Sequence, residues 1–503
     1  MALINAVISW LMKKRYHQIE LFMKYPHEVQ AEWFKKLVTT ARDTEWGKKY
    51  DYRSISNYDI YRERVPINDY ESIKDDIDLL MKGKQNILWP SDIRLFAKSS
   101  GTTSDKSKFI PVSPESLEEC HFKGGKDMLS LYCQNFPDTV LFDGRGLAMG
   151  GSHTIKEVNN EEFYVGDLSA LIIEKLPNWA EFIRVPKRSL ALMDHWEDKI
   201  EKMAHATIPH NVTSLSGVPS WTLLLLNRIL DITGKENILE VWPNLEVFFH
   251  GGVNFGPYQA QFERLIPSPK MHYSNTYNAS EGFFGLQEGR RDDLLLMLDY
   301  GIFYEFIPMS EFGREHPKAL SLAEVEMDVN YAMVITTNAG LWRYLIGDTV
   351  KFTSLKPYRI QITGRTRSFI NAFGEELIVD NAEKALEIAA NKCNAVISDY
   401  TAAPVYLDGK ENAAHEWLIE FASEPDNLDF FTETLDNALK SLNSDYEAKR
   451  YHDMILRTPI VHKLPPHTFY KWMKKRGKLG GQNKVPRLSN DRHYVDEILK
   501  MLK

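Results

Sequence analysis

The chain has 503 residues, too many for one core, and its 43% hydrophobic and 26% charged residues are the composition of a soluble globular protein of two or more domains. With 61 Lys and Arg against 69 Asp and Glu the formal charge is -8, and no basic run is long enough to track a phosphate backbone, so nucleic acid is excluded as an expected partner. Cys120, Cys133 and Cys393 lie far apart and lack ligand spacing, which argues against a disulfide framework or a zinc site and for a reducing, cytoplasmic setting.

The N-terminal MALINAVISWLMKKRYHQIELF has an apolar stretch of about twelve residues with its positive charges after it, short of the roughly 20 residues a membrane span needs. Ile4, Ile8, Leu11 and Met12 share one stripe and predict an amphipathic helix lying on the protein body. Helical spacing continues through YHQIELFMKYPHEVQAEWFKKLVTTAR, and the first hundred residues read mainly as helix. Then the period changes. GLAMGG, TSLSGVP and LEVFFHGG are short apolar runs ending in Gly or turn residues, the second leading into the helical SWTLLLLNRIL, which predicts strands with crossover helices. Between residues 293 and 363 strands crowd together: LLLMLDYGIFYEFIPM, with a Tyr-Gly turn between two runs, then YAMVITT, YLIGDTVKF and RIQITG. After residue 370 comes a small α+β pattern, with NAEKALEIAANKC helical, APVYLDGKENAAHEWLIEF a strand pair around a Gly-containing turn, and NLDFFTETLDNALKSL helical. No internal repeat or low-complexity linker separates these parts. The expected boundary is a short hinge within GRTRSFINAFGEEL, dividing residues 1–366 from 367–503.

Several motifs are absent. GRGLAMGG, 144 to 151, misses GxGxxG because its third Gly arrives one residue late and no apolar helix follows, leaving a close-packed turn as the expectation. There is no GxxxxGK(S/T), and the fifteen histidines form no HExxH and accompany no GxSxG.

The stretch SSGTTSDKSKFIPVS, residues 99 to 113, is too polar for a core. Gly101 permits close backbone approach, Ser99, Ser100, Thr102 and Thr103 offer hydroxyls beside backbone N–H groups, and Lys106 and Lys108 add charge, which together suit a polyphosphate. Three segments follow in order. NTYNASEGFFG, 275 to 285, sets Glu281 in a small-residue loop, where a carboxylate can hold a magnesium ion bridging phosphates. WRYLIGDTVKF, 342 to 352, puts Asp348 at the end of one run and before another, where a carboxylate can accept both ribose hydroxyls, and GRTRSFIN adds Arg365.

This order resembles the adenylate-forming superfamily of acyl-CoA synthetases, peptide-synthetase adenylation domains and firefly luciferase. Within it the chain is most similar to the Gretchen Hagen family of acyl-acid amido synthetases, the auxin-responsive enzymes of plants and their bacterial relatives. The Ser99–Thr103 stretch resembles that family's first motif, Tyr277–Glu281 its Tyr-x-x-Ser-Glu, Tyr344–Asp348 its Tyr-x-x-Gly-Asp, and GGQNKVPRL, 480 to 488, its Gln-x-Lys-x-Pro-Arg. The resemblance implies an α/β fold: a large N-terminal adenylate-forming domain of β-sheets and a β-barrel-like subdomain flanked by helices, with a small mobile α+β C-terminal domain. It implies ATP and Mg2+, with Lys484 and Glu281 catalytic, Glu281 also holding the metal, and Ser99, Ser100, Gly101, Thr102, Thr103, Lys108, Thr276, Tyr277, Asn278, Ala279, Ser280, Asp348 and Arg365 binding the nucleotide. Rotation about residues near Thr366 and Arg367 is expected to withdraw Lys484 after adenylation. GRTRSFIN departs toward the hinge of acyl-CoA synthetases.

For the acyl pocket, GVPSWTLLL and FFHGGVNFGPY nominate Val218, Trp221, His250, Gly251 and Gly252, with Trp221, Phe248 and Phe249 as core being the alternative. The implied reaction activates a carboxylic acid to an acyl-adenylate and passes it to an amino acid or other amine, with no stable protein partner. An acyl-CoA ligase sharing the first half-reaction, and a catalytically silent nucleotide sensor, stay open as alternatives.

Overall fold

The computed structural model describes residues 2–99, 108–193, 196–252, 255–366, 369–370, 375, 377–407, 412–443, 446–447, 450, 456–478 and 484–502. Packing divides the chain into two units, one of residues 1–255, 259–346 and 351–361 and one of residues 256–258, 347–350 and 362–503.

The first unit opens with the helices Ala2–Lys24 and Pro26–Ala41. No helix among the described residues is long and apolar enough to cross a membrane. Of the expected stripe, Met12 is half-buried, while the side chains of Ile4, Ile8 and Leu11 lie outside the described ones. An ion pair ties this helix down: Arg15 Nε lies 2.6 Å from Asp127 Oδ1, and the Tyr300 hydroxyl donates to Asp127 Oδ2 at 2.8 Å. The second helix carries the buried Gln30, whose amide donates to the carbonyls of Leu298 and Ile302 and accepts from the Tyr304 N–H, so that a polar side chain joins helix to sheet.

The strands in chain order are β1 (Leu95–Ser99), β2 (Lys108–Val112), β3 (Arg145–Ala148), β4 (His153–Val158), β5 (Glu161–Gly166), β6 (Arg184–Val185), β7 (Val212–Gly217), β8 (Val247–Gly251), β9 (His272–Ala279), β10 (Gly282–Gln287), β11 (Leu294–Leu296), β12 (Ile302–Pro308), β13 (Leu320–Ser321), β14 (Asn330–Thr337), β15 (Tyr344–Leu355) and β16 (Tyr358–Arg365). A four-stranded sheet has the order β2-β1-β5-β4, and a twelve-stranded sheet the order β13-β12-β14-β15-β16-β11-β10-β9-β8-β7-β3-β6. From β6 through β3, β7 and β8 to β9 every pairing is parallel. The chain returns between these strands through helices such as Trp196–Thr207 and Pro219–Thr233, as the change of period predicted.

The two runs of LLLMLDYGIFYEFIPM are separate strands parted at Tyr300–Gly301, as expected, and they do not pair with each other: β11 pairs with β10 and β16, whereas β12 pairs with β13 and β14. The run from Ile302↔Thr337 to Pro308↔Tyr331 offers β12 a far longer ladder than three-residue β11 could, and Gly301 at φ +72 lets the chain turn away. Asp348 does not sit between two runs but inside the single strand β15, because Gly347 at φ +89 deforms the strand without ending it.

The second unit contains β17 (Phe369–Ile370), β18 (Leu377–Ile378), β19 (Val396–Leu407), β20 (Asn412–Ser423) and β21 (Ile460–Leu464). β19 and β20 form the expected antiparallel hairpin, and β21 adds parallel to β20. Alternation in β20 sends Trp417, Ile419 and Phe421 toward the helices Val379–Lys392 and Leu428–Leu442, where they meet Ala385, Leu386, Phe431 and Leu435. Leu418, on the opposite face, packs with Phe469, Trp472, Val495 and Ile498 from the last two helices. Both faces are thus covered.

Candidate functional site

In open α/β sheets ligands settle outside the carboxyl ends of parallel strands. In the first unit those ends carry short, small-residue connections: Gly150–Gly151 after β3, Val218 after β7, Gly251–Gly252 at β8, and Ser280–Glu281 after β9. Gly251 is required there, because a Cβ would stand 2.4 Å from the Thr276 carbonyl oxygen and 2.7 Å from Thr276 Oγ1. Gly252 has φ +80, and Thr276 Oγ1 donates to the His250 carbonyl at 3.1 Å. Val218 caps the helix Pro219–Thr233, and Trp221 is half-buried in its first turn.

The imidazole of His250 is buried and stacks on Phe255 with centroids 4.1 Å apart. Burial pushes its pKa down to about 3, and its Nδ1 has no hydrogen-bond partner among the described residues. Phe248 and Phe249 belong to the core, Phe248 stacked on Phe262 at 4.8 Å and Phe249 against Tyr132.

Ser99 and Lys108 are directly opposite at the open end of the β1–β2 pair, with Lys108 Nζ 5.8 Å from the centre of the Tyr70 ring. Ser100, Gly101, Thr102, Thr103 and Lys106 lie outside the described residues. β1 runs parallel to β5, with Ala97 opposite Gly166, and Asp167 follows at once. Asp167 Oδ2 accepts from the Ser152 N–H, while the buried Lys199 donates to the Gly150 and Gly151 carbonyls at 2.6 and 2.9 Å. Burial raises the Asp167 pKa, against the Ser152 N–H and the charges of Lys98 and Lys199. The end of β1 is thereby linked through β5 and Asp167 to Ser152, next to the glycine pair after β3. Lys199 and Asp167 were not singled out from sequence, since neither stands in a motif.

Thr276, Tyr277, Asn278 and Ala279 are residues of β9 itself, not of a loop. Ser280 and Glu281 form a two-residue turn, closed by the Ala279↔Gly282 pair at the start of β10. Tyr277 is buried edge-on against Phe284 at 4.9 Å, and Asn278 Oδ1 meets His121 Nδ1 at 3.2 Å. Ser280 is buried, with its hydroxyl unpartnered among the described residues, beside the half-buried Glu281. A carboxylate next to an unsatisfied hydroxyl oxygen is a donor set suited to a hard cation.

The second unit brings together the other motif residues. Arg365 Nε lies 3.1 Å from Asp348 Oδ1, and Thr366 N–H donates to the Gly347 carbonyl at 2.8 Å. The segment carrying Lys484 is pinned along β19: Thr401 Oγ1 donates to the Pro486 carbonyl at 2.6 Å, and Ala402 exchanges backbone bonds with Arg487 and Ser489. Arg487 pairs with Asp399 and lies 4.6 Å from the Tyr400 ring. Lys484 as a whole residue is exposed by surface area, yet its ammonium is crowded. That desolvation, then the charge of Arg365, pushes its pKa down to about 8, with Arg487 adding to the fall and Asp348 and Glu383 opposing it. Arg367 lies outside the described residues.

Comparison with known proteins gives one consistent picture. Residues 15–271 match the GH3 family N-terminal domain, 295–365 its central domain and 380–493 its C-terminal domain. The indole-3-acetic acid-amido synthetase GH3.3 of Arabidopsis thaliana is 22% identical over 535 residues, covering 91% of this chain and 89% of that protein. The solved structure of the AtGH3.15 acyl acid amido synthetase in complex with 2,4-DB superposes with a TM-score of 0.81 at 15% identity, covering 97% of this chain and 96% of that one. A 2-hydroxyisobutyryl-CoA ligase in its postadenylation state superposes with a TM-score of 0.56 at 12% identity, covering 98% and 91%. At such identities the superpositions establish a shared fold.

Proposed function

The chain belongs to the GH3 family, and on that premise we propose that it is a ligase that activates a carboxylic acid with ATP and transfers the acyl group to an amino acid, forming an amide. The observation that supports this reading is that the charges of Arg365 and Asp348, themselves paired, both act on Lys484, whose segment is anchored by Arg487. Residues 1–366 then form the adenylate-forming domain and 367–503 the small C-terminal domain. Three buried cysteines without disulfides suit a cytoplasmic setting.

A carboxylate is a poor electrophile. Its attack on the α-phosphorus of ATP expels pyrophosphate and leaves a mixed anhydride that an amine opens, and both steps build charge on phosphate oxygens. Hydroxyls and N–H groups of residues 99–103 with Lys108 hold the phosphates, Asp348 accepts the ribose hydroxyls with Arg365 fixing its carboxylate, and the Lys484 ammonium offsets charge in the transition state. Magnesium, when bound at Glu281 beside the Ser280 hydroxyl, supplies further neutralisation of the phosphates. Val218, Trp221, His250, Gly251 and Gly252 line the acid.

The test is an ATP-pyrophosphate exchange screen over carboxylic acids, followed by an acceptor panel of amino acids and coenzyme A. Exchange with at least one acid and amide formation are expected. Thioester formation without amide would make the protein an acyl-CoA ligase, and bound ATP without exchange on any acid would make it a nucleotide sensor.

The pH dependence of exchange follows from Lys484. Its protonated form is the useful one, so the rate falls as pH rises through about 8. The exchange reaction contains no amine, so an acceptor cannot produce this limb. Replacing Asp348 by Asn removes a charge that raises the Lys484 pKa and moves the inflection to lower pH. A rate flat across that region would exclude Lys484 as the titrating group.

A further inference from the structure

We propose that the π-helical turn Leu117–Phe122 is a clamp that positions the Ser280–Glu281 turn, with His121 and Cys120 as positioning residues acting through Asn278 and Phe283. The inference rests on the reading of Glu281 as the magnesium-holding carboxylate. One helical path runs from Pro114 to Asn135, α-helical at both ends and π-helical at Leu117–Phe122. A π turn adds a residue to the helical circuit at the cost of poorer hydrogen-bond geometry, and such turns concentrate at functional sites. Here the wide turn lets two consecutive side chains reach one β-hairpin.

His121 Nδ1 lies 3.2 Å from Asn278 Oδ1 on β9, and the Phe283 N–H on β10 donates to Cys120 Sγ at 3.1 Å. Asn278 and Phe283 are direct cross-strand partners, one pair behind Ala279↔Gly282, which closes the turn bearing Glu281. Adjacent clamp residues therefore hold opposite arms of the same hairpin. The hold is needed because the β9–β10 register shifts between Phe283 and Gly285, interrupting the ladder that would otherwise keep the turn in place. Gly124 completes the fit: a Cβ there would come within 2.5 Å of the Phe283 ring, so the helix backbone lies directly on that ring.

His121 and Cys120 are both buried, at 4% and 1% exposure. Burial pushes the His121 pKa down to about 4, against the Asn278 hydrogen bond, so the ring is neutral at physiological pH and carries one N–H. With a carbonyl oxygen as its partner, that N–H is on Nδ1. The clamp delivers a directed, uncharged hydrogen bond to Asn278.

The test compares His121→Leu, which removes the donor, with His121→Asn, whose amide nitrogen can occupy the Nδ1 position. ATP binding is measured by calorimetry in magnesium and in EDTA, and the ratio of the two affinities is the readout. His121→Leu should lower that ratio about tenfold while EDTA affinity and melting temperature stay near wild type, and His121→Asn should restore it to within about twofold. An unchanged ratio in His121→Leu, or a loss in His121→Asn equal to that in His121→Leu, overturns the clamp. If His121→Leu does not fold, Cys120→Ala is read in its place, with a loss of about threefold expected and an unchanged ratio overturning the proposal. A wild-type protein whose ATP affinity is indifferent to magnesium overturns the reading of Glu281 and the clamp with it.

Discussion

Replacing Lys484 by Ala should cut ATP-pyrophosphate exchange by about 10² to 10³, the usual cost of removing one preorganised group that stabilises developing charge. The melting temperature should hardly move. Lys484 as a whole residue is exposed by surface area, and the bonds that fix its segment come from neighbours: Thr401 to the Pro486 carbonyl, Ala402 to Arg487 and Ser489, and Arg487 to Asp399. ATP affinity should also persist, because the contribution is made in the transition state and not in the ground state. An exchange rate equal to wild type would remove Lys484 from the mechanism.

The largest stability effect is expected at Glu305. Its carboxylate on β12 is fully buried and faces Arg343, whose Nε lies 3.0 and 3.1 Å from the two carboxylate oxygens and whose Nη2 lies 2.8 Å from Oε1. Arg343 Nη1 donates to the carbonyls of Arg62 and Val65 at 2.8 and 2.7 Å, and the Tyr58 hydroxyl adds a bond of 2.9 Å to Glu305. Glu305→Leu strands a buried guanidinium and should cost about 3 to 5 kcal/mol. Glu305→Leu with Arg343→Met removes both charges and should recover a large part of that loss. Urea denaturation of the wild type and the two variants checks this. A single-variant loss below about 1 kcal/mol, the level of an exposed ion pair, would contradict it.

Arg343 also shows where sequence reading stops. It stands within WRYLIGDTVKF, and nothing in that string separates its role from that of Asp348. Only the 6% exposure of its side chain and its contact with Glu305 make it a scaffold residue, while Asp348 pairs with Arg365 in the other unit. His121 is similar: in a sequence with fifteen histidines it carries no motif, and its significance comes from Asn278, 157 positions away. A locally visible signal did exist for Arg487, which shares one short motif with Lys484. Its anchoring function depends on Asp399 and was legible only in the folded chain.

Periodicity and glycine placement were sufficient for the parallel strands ending in Gly217 and Gly251, the β19–β20 hairpin and the helices that cover it, because burial on one face repeats every 2 or 3.6 residues and is written locally. The same local record held the order of the Ser99–Lys108 stretch, Glu281, Asp348 and Lys484, the residue types that the expected phosphate site calls for. Tertiary structure alone decided that β12 joins β14 instead of β11, that Gly347 bends β15 without breaking it, and which charges are buried in pairs. Strand partnership and desolvation arise from contacts between residues far apart in sequence, 38 positions for Glu305 and Arg343 and 112 for Arg15 and Asp127, and their free energy does not exist until those residues share an environment.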